Sequence, residues 1–485
     1  MKKKINKEHH WIPCKHCNGV GTKRKRIPQK TKIHYQKALE QFESTNDTSA
    51  VPERPQGQIY TCSICKGTGL IAATTPLLAA HKNYPNIAII GAGIGGVAFA
   101  VACLHRGIPF TLYERDCSFN VRSQGYGLTL QQGNKAIAGL GITSLTAGIT
   151  STRHVVHTTE GKIIGEWGVR KWGRLETKAA PKRKNIHIAR QTLRLKLLEQ
   201  LGGHTAVQWG HQLTGIQYSK SGNIDLKFQV KNESTHKKAD LVVGADGIRS
   251  AVRKIIIGED STPLRYLDCM VILGICPLEN IKSADRSLLD SATVFQTANG
   301  NERIYVMPYD ADSIMWQLSF PISEKEAKTL SAQGAKALKK EACRRIQWHA
   351  PIPQILAATQ EAQVSGYPTY DRALLTPELL EKANKSTLIG DAAHPMSPFK
   401  GQGANQALLD ALTLAREITK GCNTSDSWKE VGIRKSVLRA FETKMLARSA
   451  PKVQHSAEAA TLLHSNIILH KGDGPRGKHR KIEKD

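Results

Sequence analysis

The chain lacks any stretch of about 20 apolar residues free of turn-formers, which excludes a helical membrane span. Its start, "MKKKINKEHHWIPC", has a basic head but no apolar core behind it, so no secretory signal is expected. The ten cysteines follow no disulfide framework of a small secreted domain. Four form two Cys-x-x-Cys pairs, and Cys103, Cys117, Cys269, Cys276, Cys343 and Cys422 are scattered. Reduced thiols and a cytoplasmic location are the expectation. Acid is scarce, with 41 Asp and Glu against 69 Lys and Arg, a net charge of +28. That excess points to acidic partners such as phosphates, acidic small molecules, an anionic membrane face or nucleic acid. No Ser-His-Asp set or paired carboxylates stand out for acid–base catalysis.

What is present is the make-up of a soluble globular protein, 40% apolar and 23% charged over 485 residues. That length predicts two or three domains with a sizeable core.

The most informative stretch is "NIAIIGAGIGGVAFAVACLHRGIPFTLYERD", residues 86–116. Asn86 to Ile90 reads as a buried parallel strand, Val97 to Arg106 as a helix, and Phe110 to Tyr113 as a second strand. Between the first two lie Gly91, Gly93 and Gly96, a G-x-G-x-x-G turn. Gly91 permits the tight turn, Gly93 lets backbone approach a pyrophosphate, and Gly96 lets helix pack on strand. The helix N-terminus offers free N–H groups to phosphates. Glu114, 23 residues after Gly91, is placed to bind an adenosine ribose. Strand, triplet, helix, strand and acid in register argue for a dinucleotide site rather than a span.

A second constellation, "STLIGDAAHPMSPFKGQGANQALLDALTLAREI" (386–418), reads as strand, loop and long helix, with Asp391 at the strand's carboxyl end. Two further motifs lie between: "IARQTLRLKLLEQL", with Arg190 and Leu193, and "LVVGADGIRSAVRK", with Asp246, Gly247, Ser250 and Arg253. Together these four motifs, in this order over about residues 86–450, resemble the group A flavin-dependent monooxygenases, the p-hydroxybenzoate hydroxylase superfamily. The resemblance implies an α/β fold: a Rossmann-like FAD-binding domain of the GR2 type interleaved with an antiparallel-sheet substrate domain. It implies FAD held by the glycine turn, by Glu114 with Arg115 beside it, and by Arg190, Asp246 and Asp391. The loop from Pro398 through Gly401, Gly403 and Ala404 to Asn405 would run beside the isoalloxazine ring. Arg122, in "NVRSQGYG", stands where related enzymes place an arginine near the flavin.

The implied activity is hydroxylation of a small, aromatic or polyketide-like substrate by O2. NADPH or NADH serves as transient hydride donor and a flavin hydroperoxide as oxidant. NAD(P)H visits without a fold of its own, so no second glycine fingerprint is expected, and none is seen. A tetracycline-type antibiotic-inactivating monooxygenase, a flavin-dependent halogenase and a quinone-linked oxidoreductase are the alternatives. "MWQLSFP" has Leu318 where the halogenase W-x-W motif has its second tryptophan. His394 is expected to brace its loop rather than transfer protons.

Residues 265–375 alternate as antiparallel strands do, with Arg303, Tyr305, Met307, Trp316 and Gln317 as candidates for lining a substrate pocket. A basic insert over 165–185, centred on "RKWGRLETKAAPKRK", reads as a solvated loop or one that draws in an acidic substrate.

Near the start, Cys14-x-x-Cys17 and Cys62-x-x-Cys65 each carry the tail x-G-x-G, which resembles the zinc-binding repeat of DnaJ-type chaperones. Four thiolates suit one closed, structural Zn2+ site with Zn–S near 2.3 Å. The chaperones have four repeats and two metals, so chaperone activity does not carry over. Residues 1–85 hold 15 Lys and Arg against 5 Asp and Glu, so contact with an acidic protein or nucleic acid enters as an expectation. A helix is expected over 34–43, with the rest between the pairs a mobile excursion. The expected organisation is therefore a zinc module (1–84), a first FAD-binding part (85–265), a substrate sheet (266–375), a second FAD-binding part (376–420), C-terminal helices (421–470) and a disordered basic tail (471–485).

Overall fold

The computed structural model describes residues 10–44, 52–122, 126–170, 185–219, 222–422 and 428–476. The chain forms two compact units, residues 1–78 and 79–485. Most of the basic insert (171–184) and the end of the tail (477–485) lie outside the described residues. Among those described, no helix is long and apolar enough to cross a membrane.

In the larger unit a five-stranded parallel sheet runs in the order Val207–Gln208, Phe110–Tyr113, Ile87–Ile90, Leu241–Gly244, Ser386–Leu388. Ile87–Ile90 is apolar and buried along its whole length because a strand covered on both faces has no solvent side. Helix Ile94–Leu104 follows it and packs against helices Arg190–Gln200 and Gly403–Cys422. Its run "VAFAVAC" is buried all round, which small side chains permit in a helix flanked by two others. Four distant segments of the chain thus meet at one sheet.

A seven-stranded sheet has the order Ile163–Trp167, Arg153–His157, Thr293–Ala298, Arg303–Pro308, Ser313–Pro321, Leu264–Pro277, Val364–Arg372. Period-2 alternation gives it two faces. Ile304, Val306, Ile314, Trp316 and Leu318 pack with Leu338, Ile352 and Ile355 of the helices behind. Met307 and Met315 turn the other way, where the Gly127 N–H lies 3.1 Å from the Met315 Sδ. Two strands from 153–167 join this sheet, one of them parallel to Thr293–Ala298, which sequence alternation over 265–375 did not reveal.

The start of the tail is ordered, contrary to expectation. The Gly472 N–H donates to the Ile164 carbonyl, and Arg476 is buried with its guanidinium on the carbonyls of His470 and Gly472. An edge strand's free backbone groups supply the hydrogen bonds that hold this otherwise polar segment.

In the smaller unit His10–Pro13 pairs with Leu70–Ala73, and Thr22–Arg24 with Ile59–Thr61. That second pair replaces part of the expected mobile excursion. The helix spans Gln29–Ser44, wider than expected, with no buried residue.

Candidate active site

The glycine turn sits at the carboxyl end of Ile87–Ile90, and its three glycines differ in what they do. Gly91 has φ +103°, and a Cβ there would lie 2.6 Å from the Ala245 carbonyl oxygen. A Cβ on Gly96 would lie 1.9 Å from the Gly91 oxygen. Protein packing alone forbids side chains at both. At Gly93 the nearest atom to a Cβ is the Arg190 Nη2, 3.9 Å away, and no side chain caps the helix it begins. Its free N–H groups open onto a cavity.

Glu114 ends the next strand. Its Oε2 accepts from the Ala92 N–H at 2.7 Å and its Oε1 from the Asp116 N–H at 3.1 Å. Arg194 holds the same turn from the other side, donating from Nε to the Ala92 carbonyl at 2.7 Å. Its guanidinium lies 4.8 Å from the Phe119 ring and 5.5 Å from the Trp209 ring. Sequence reasoning stopped at Arg190. The signal for Arg194 was its i+4 spacing, which puts both arginines on one helix face.

Asp246 accepts the Ser250 hydroxyl and, at 3.2 Å, the Val252 N–H, and burial lifts its carboxyl above the usual range. Arg253 ties this turn to the 390–394 loop: its Nη1 donates to the Ala392 and Ala393 carbonyls at 3.0 and 2.9 Å. Asp391 is open to the cavity yet surrounded by protein. Desolvation therefore raises its pKa, against the pull of His394 and Arg190. Behind it the fully buried Asp410 accepts from the Gly390 N–H at 2.9 Å, bonds His394 Nε2 at 2.6 Å and pairs with Arg448. Burial would raise Asp410, but His394 and Arg448 outweigh it and hold the carboxyl low.

One cavity joins these pieces. Of the residues singled out from sequence, Gly91, Gly93, Glu114, Arg115, Arg190, Asp246, Asp391, Gly403 and Ala404 line it. Tyr126, Arg194 and Arg249 line it too and were missed. Gly96, Pro398, Gly401 and Asn405 are not among the residues that line it. Gly401, at φ +58°, turns the chain from Pro398–Lys400 into helix Gly403–Cys422, whose first residues face the cavity. Asn405 was expected beside the cofactor, but its amide is fully engaged by backbone. Its Oδ1 accepts from the Gln131 and Gly133 N–H groups at 2.8 Å, and its Nδ2 donates to the Thr129 and Gly401 carbonyls at 2.9 and 2.8 Å. Its side chain therefore positions the wall and has no hydrogen-bonding group free. The Arg122 side chain lies outside the described residues.

The family described as FAD binding domain matches residues 84–428. The chain belongs to this family. It is 28% identical over 340 residues to the aurachin C monooxygenase/isomerase of Stigmatella aurantiaca, covering 69% of this chain and 81% of that one. It is 25% identical over 391 residues to the 6-hydroxynicotinate 3-monooxygenase of Pseudomonas fluorescens, covering 79% and 92%. The solved structure of 2,6-dihydroxypyridine-3-hydroxylase from Arthrobacter nicotinovorans shares its fold at a TM-score of 0.65 and 17% identity, over 82% of this chain and 99% of that one. The protein is thus an FAD-dependent oxidoreductase of the monooxygenase group.

The substrate-sheet candidates of this flavoprotein divide by strand alternation. Arg303, Tyr305, Met307 and Gln317 share the face toward Gly127–Leu130. Trp316 does not join them, which corrects its placement as a pocket residue. It is fully buried on the opposite face, with Nε1 donating to the Thr359 Oγ1 at 2.9 Å. Adjacent Trp316 and Gln317 must point to opposite faces, so both could not line one pocket.

In the smaller unit Cys14, Cys17, Cys62 and Cys65 are all buried, with their sulfurs within 4.8 Å of one another. Cys14 and Cys62 sulfurs are 4.0 Å apart, and those of Cys17 and Cys65 are 3.6 Å apart. The Gly21 and Gly69 N–H groups point at the Cys17 and Cys65 sulfurs from 3.1 and 3.3 Å. Each knuckle repeats the other, which is why the duplicated glycine tails are needed.

Proposed function

We propose that the flavoprotein is an NAD(P)H-dependent monooxygenase that hydroxylates a small aromatic or polyketide-like molecule. The observation that carries this is the convergence of the glycine turn, Asp246 and Asp391, from three distant segments, on one cavity. The residues present fit FAD. Gly93 and the uncapped helix start suit the pyrophosphate, Glu114 and Arg115 the adenosine ribose, and Asp391 the ribityl chain, while Asp246 closes the wall between. FAD, when bound, supplies the redox chemistry, taking a hydride from NAD(P)H and activating O2. The chain's own part is to bind, orient and exclude water. The start of helix Gly403–Cys422 faces the cavity and would lend partial positive charge to a group there that gains negative charge on reduction. Arg190 adds a full charge on the same wall. The pyridine rings in the names of two similar proteins support an aromatic substrate.

We also propose one structural zinc ion held by Cys14, Cys17, Cys62 and Cys65. A tetrahedron with Zn–S near 2.3 Å has edges of about 3.8 Å, between the two sulfur spacings of 3.6 and 4.0 Å. All four ligand positions are filled by sulfur, so the site is structural.

The test is purification of the full chain, with its absorbance spectrum, FAD and metal content, and O2 uptake coupled to NADPH oxidation across small aromatics. Substrate-dependent O2 uptake supports hydroxylation. A requirement for halide, or electron transfer to quinone without O2 uptake, would favour the halogenase or quinone-linked alternatives.

A further inference from the structure

The smaller unit carries a helix that its own core does not use. Among the described residues that core is the four cysteines with Ile71 against them, and nothing from Gln29–Ser44 enters it. The helix is nevertheless patterned for burial. Tyr35, Ala38, Leu39 and Phe42 fall at three- and four-residue steps and so line one face, half-buried, while every other residue from Gln29 to Ser44 is exposed. A helix of 16 residues is marginal in water unless such a face is packed. Exposed apolar groups gather on the unit's other segments as well: Ile59 and Tyr60 on one ribbon strand, Ile64 between Cys62 and Cys65, and Leu77 and Leu78 at its end. With Ile33 these are six of the thirteen large apolar side chains that stand exposed among the described residues, in under a sixth of the chain. Apolar surface concentrated in this way marks an interaction site.

Charge narrows the kind of partner. From Lys23 to Leu39 the chain has seven Lys and Arg and no acid. Arg24, Lys25 and Arg26 are exposed in the run that leads into the helix, and Lys30, Lys32 and Lys37 are exposed on the helix itself. Lys30 and Lys37, seven residues apart, lie on the side away from the apolar stripe. Across the ribbon Ile59 pairs with Arg24 and Tyr60 with Lys23, so apolar and basic groups stand next to each other there too. A partner that meets all of this offers negative charge and an apolar interior together, as an anionic lipid bilayer does. Nucleic acid offers charge and stacking faces, and the aliphatic Ile33, Ile59, Ile64 and Leu78 find nothing to enter in it. An acidic protein groove takes one face of a helix, whereas these apolar groups are spread over helix, ribbon and cysteine knuckle.

We propose that the smaller unit is a peripheral anchor for an anionic membrane surface. Leu39 and Phe42 seat at the boundary between headgroups and acyl chains, and the basic run from Lys23 to Lys37 meets the lipid phosphates. The unit binds the surface without spanning it, in keeping with the absence, among the described residues, of a helix long and apolar enough to cross. This goes beyond the monooxygenase reading and does not depend on it.

The experiment floats the full chain with vesicles of phosphatidylcholine alone, or of phosphatidylcholine with about one third phosphatidylglycerol. Two variants accompany the native chain. One combines Lys25→Gln, Arg26→Gln, Lys30→Gln and Lys32→Gln; the other combines Leu39→Ser and Phe42→Ser. Metal content, Tm and the mass by light scattering are measured alongside and should match the native values, since none of these side chains is buried. The native chain floats with the anionic vesicles and not with the neutral ones, and added salt weakens the binding. Each Lys or Arg near such a surface is worth about fivefold, so the charge variant binds at least about hundredfold more weakly. The serine pair loses about tenfold, because the apolar half of the contact is gone. The inference is overturned if the chain ignores anionic vesicles or binds neutral ones equally, if either folded variant floats like the native chain, or if poly-uridine or poly-glutamate captures the chain while vesicles do not. A lower mass in the serine pair would show that a second copy covers the stripe, and would overturn it too. The charge variant, exposed throughout, decides alone should the serine pair lose its metal.

Discussion

Gly93→Ala separates a glycine kept for a ligand from glycines kept for the fold. In the ligand-free chain the new Cβ meets nothing closer than the Arg190 Nη2 at 3.9 Å, and the residue's φ of −72° suits alanine. Alanine restricts the unfolded chain, worth about 0.4–1 kcal/mol of stability. It also caps a helix less well than glycine, a loss of about the same size. The two nearly cancel, so apoprotein stability should stay within about 1 kcal/mol, or roughly 2–4 °C in Tm. Gly96→Ala behaves differently. Helix propensity offers about 1 kcal/mol, but a Cβ 1.9 Å from the Gly91 oxygen forces the helix off its strand. Gly91→Ala combines φ +103° with a 2.6 Å approach to backbone that cannot swing aside. For Gly91→Ala, strain of about 1–3 kcal/mol plus overpacking of similar size gives a loss of about 2–6 kcal/mol, whereas Gly96→Ala carries the overpacking without the strain, about 3 kcal/mol against the ~1 that propensity returns. FAD affinity should reverse the ranking's meaning: Gly93→Ala folds normally yet binds FAD about tenfold to hundredfold more weakly, because its methyl keeps a pyrophosphate off the free N–H groups. Urea unfolding of the apoproteins and fluorescence-quench titration with FAD read the two quantities separately. Native FAD affinity in Gly93→Ala, or apoprotein stability as poor as that of Gly96→Ala, would refute the argument.

Asp391→Ala should abolish FAD retention, read as loss of yellow colour on desalting; an unchanged spectrum would remove that residue from the site. Asn405→Ala orphans the buried Gly133 N–H and should lower stability by about 2–3 kcal/mol in urea unfolding. Trp316→Phe loses the bond to Thr359, and should lower stability by about 1–2 kcal/mol while leaving the KM of any substrate unchanged, as its side of the sheet requires. The Asp410 carboxyl is held below its unfolded value, so its contribution to stability is full above about pH 5 and is lost as pH falls below about 4. Asp410→Asn should flatten acid unfolding in that window, and an unaltered pH profile would count against the His394–Asp410–Arg448 cluster. Metal analysis should find one zinc per chain, lost in Cys62→Ser.

The nucleotide half of the fold was legible because its signals are local. A tight turn, a helix start and a strand end at fixed spacing each demand a residue type, so Gly91, Gly93 and Glu114 declare themselves in the chain. Arg253, by contrast, looks like part of a strand-to-helix motif, yet its work is to hold carbonyls 139 and 140 residues away. Nothing in its neighbours says so. Asn405 misleads for the same reason: a polar residue in a loop motif suggests a ligand, while its partners at Thr129, Gln131 and Gly133 come from another segment. Trp316 was the one error that local physics could have prevented. Tyr305 and Gln317 pair across neighbouring strands and so share a face, and the residue beside Gln317 must then point away. Apolar partners at Ile304, Leu318 and Phe320 complete that opposite face.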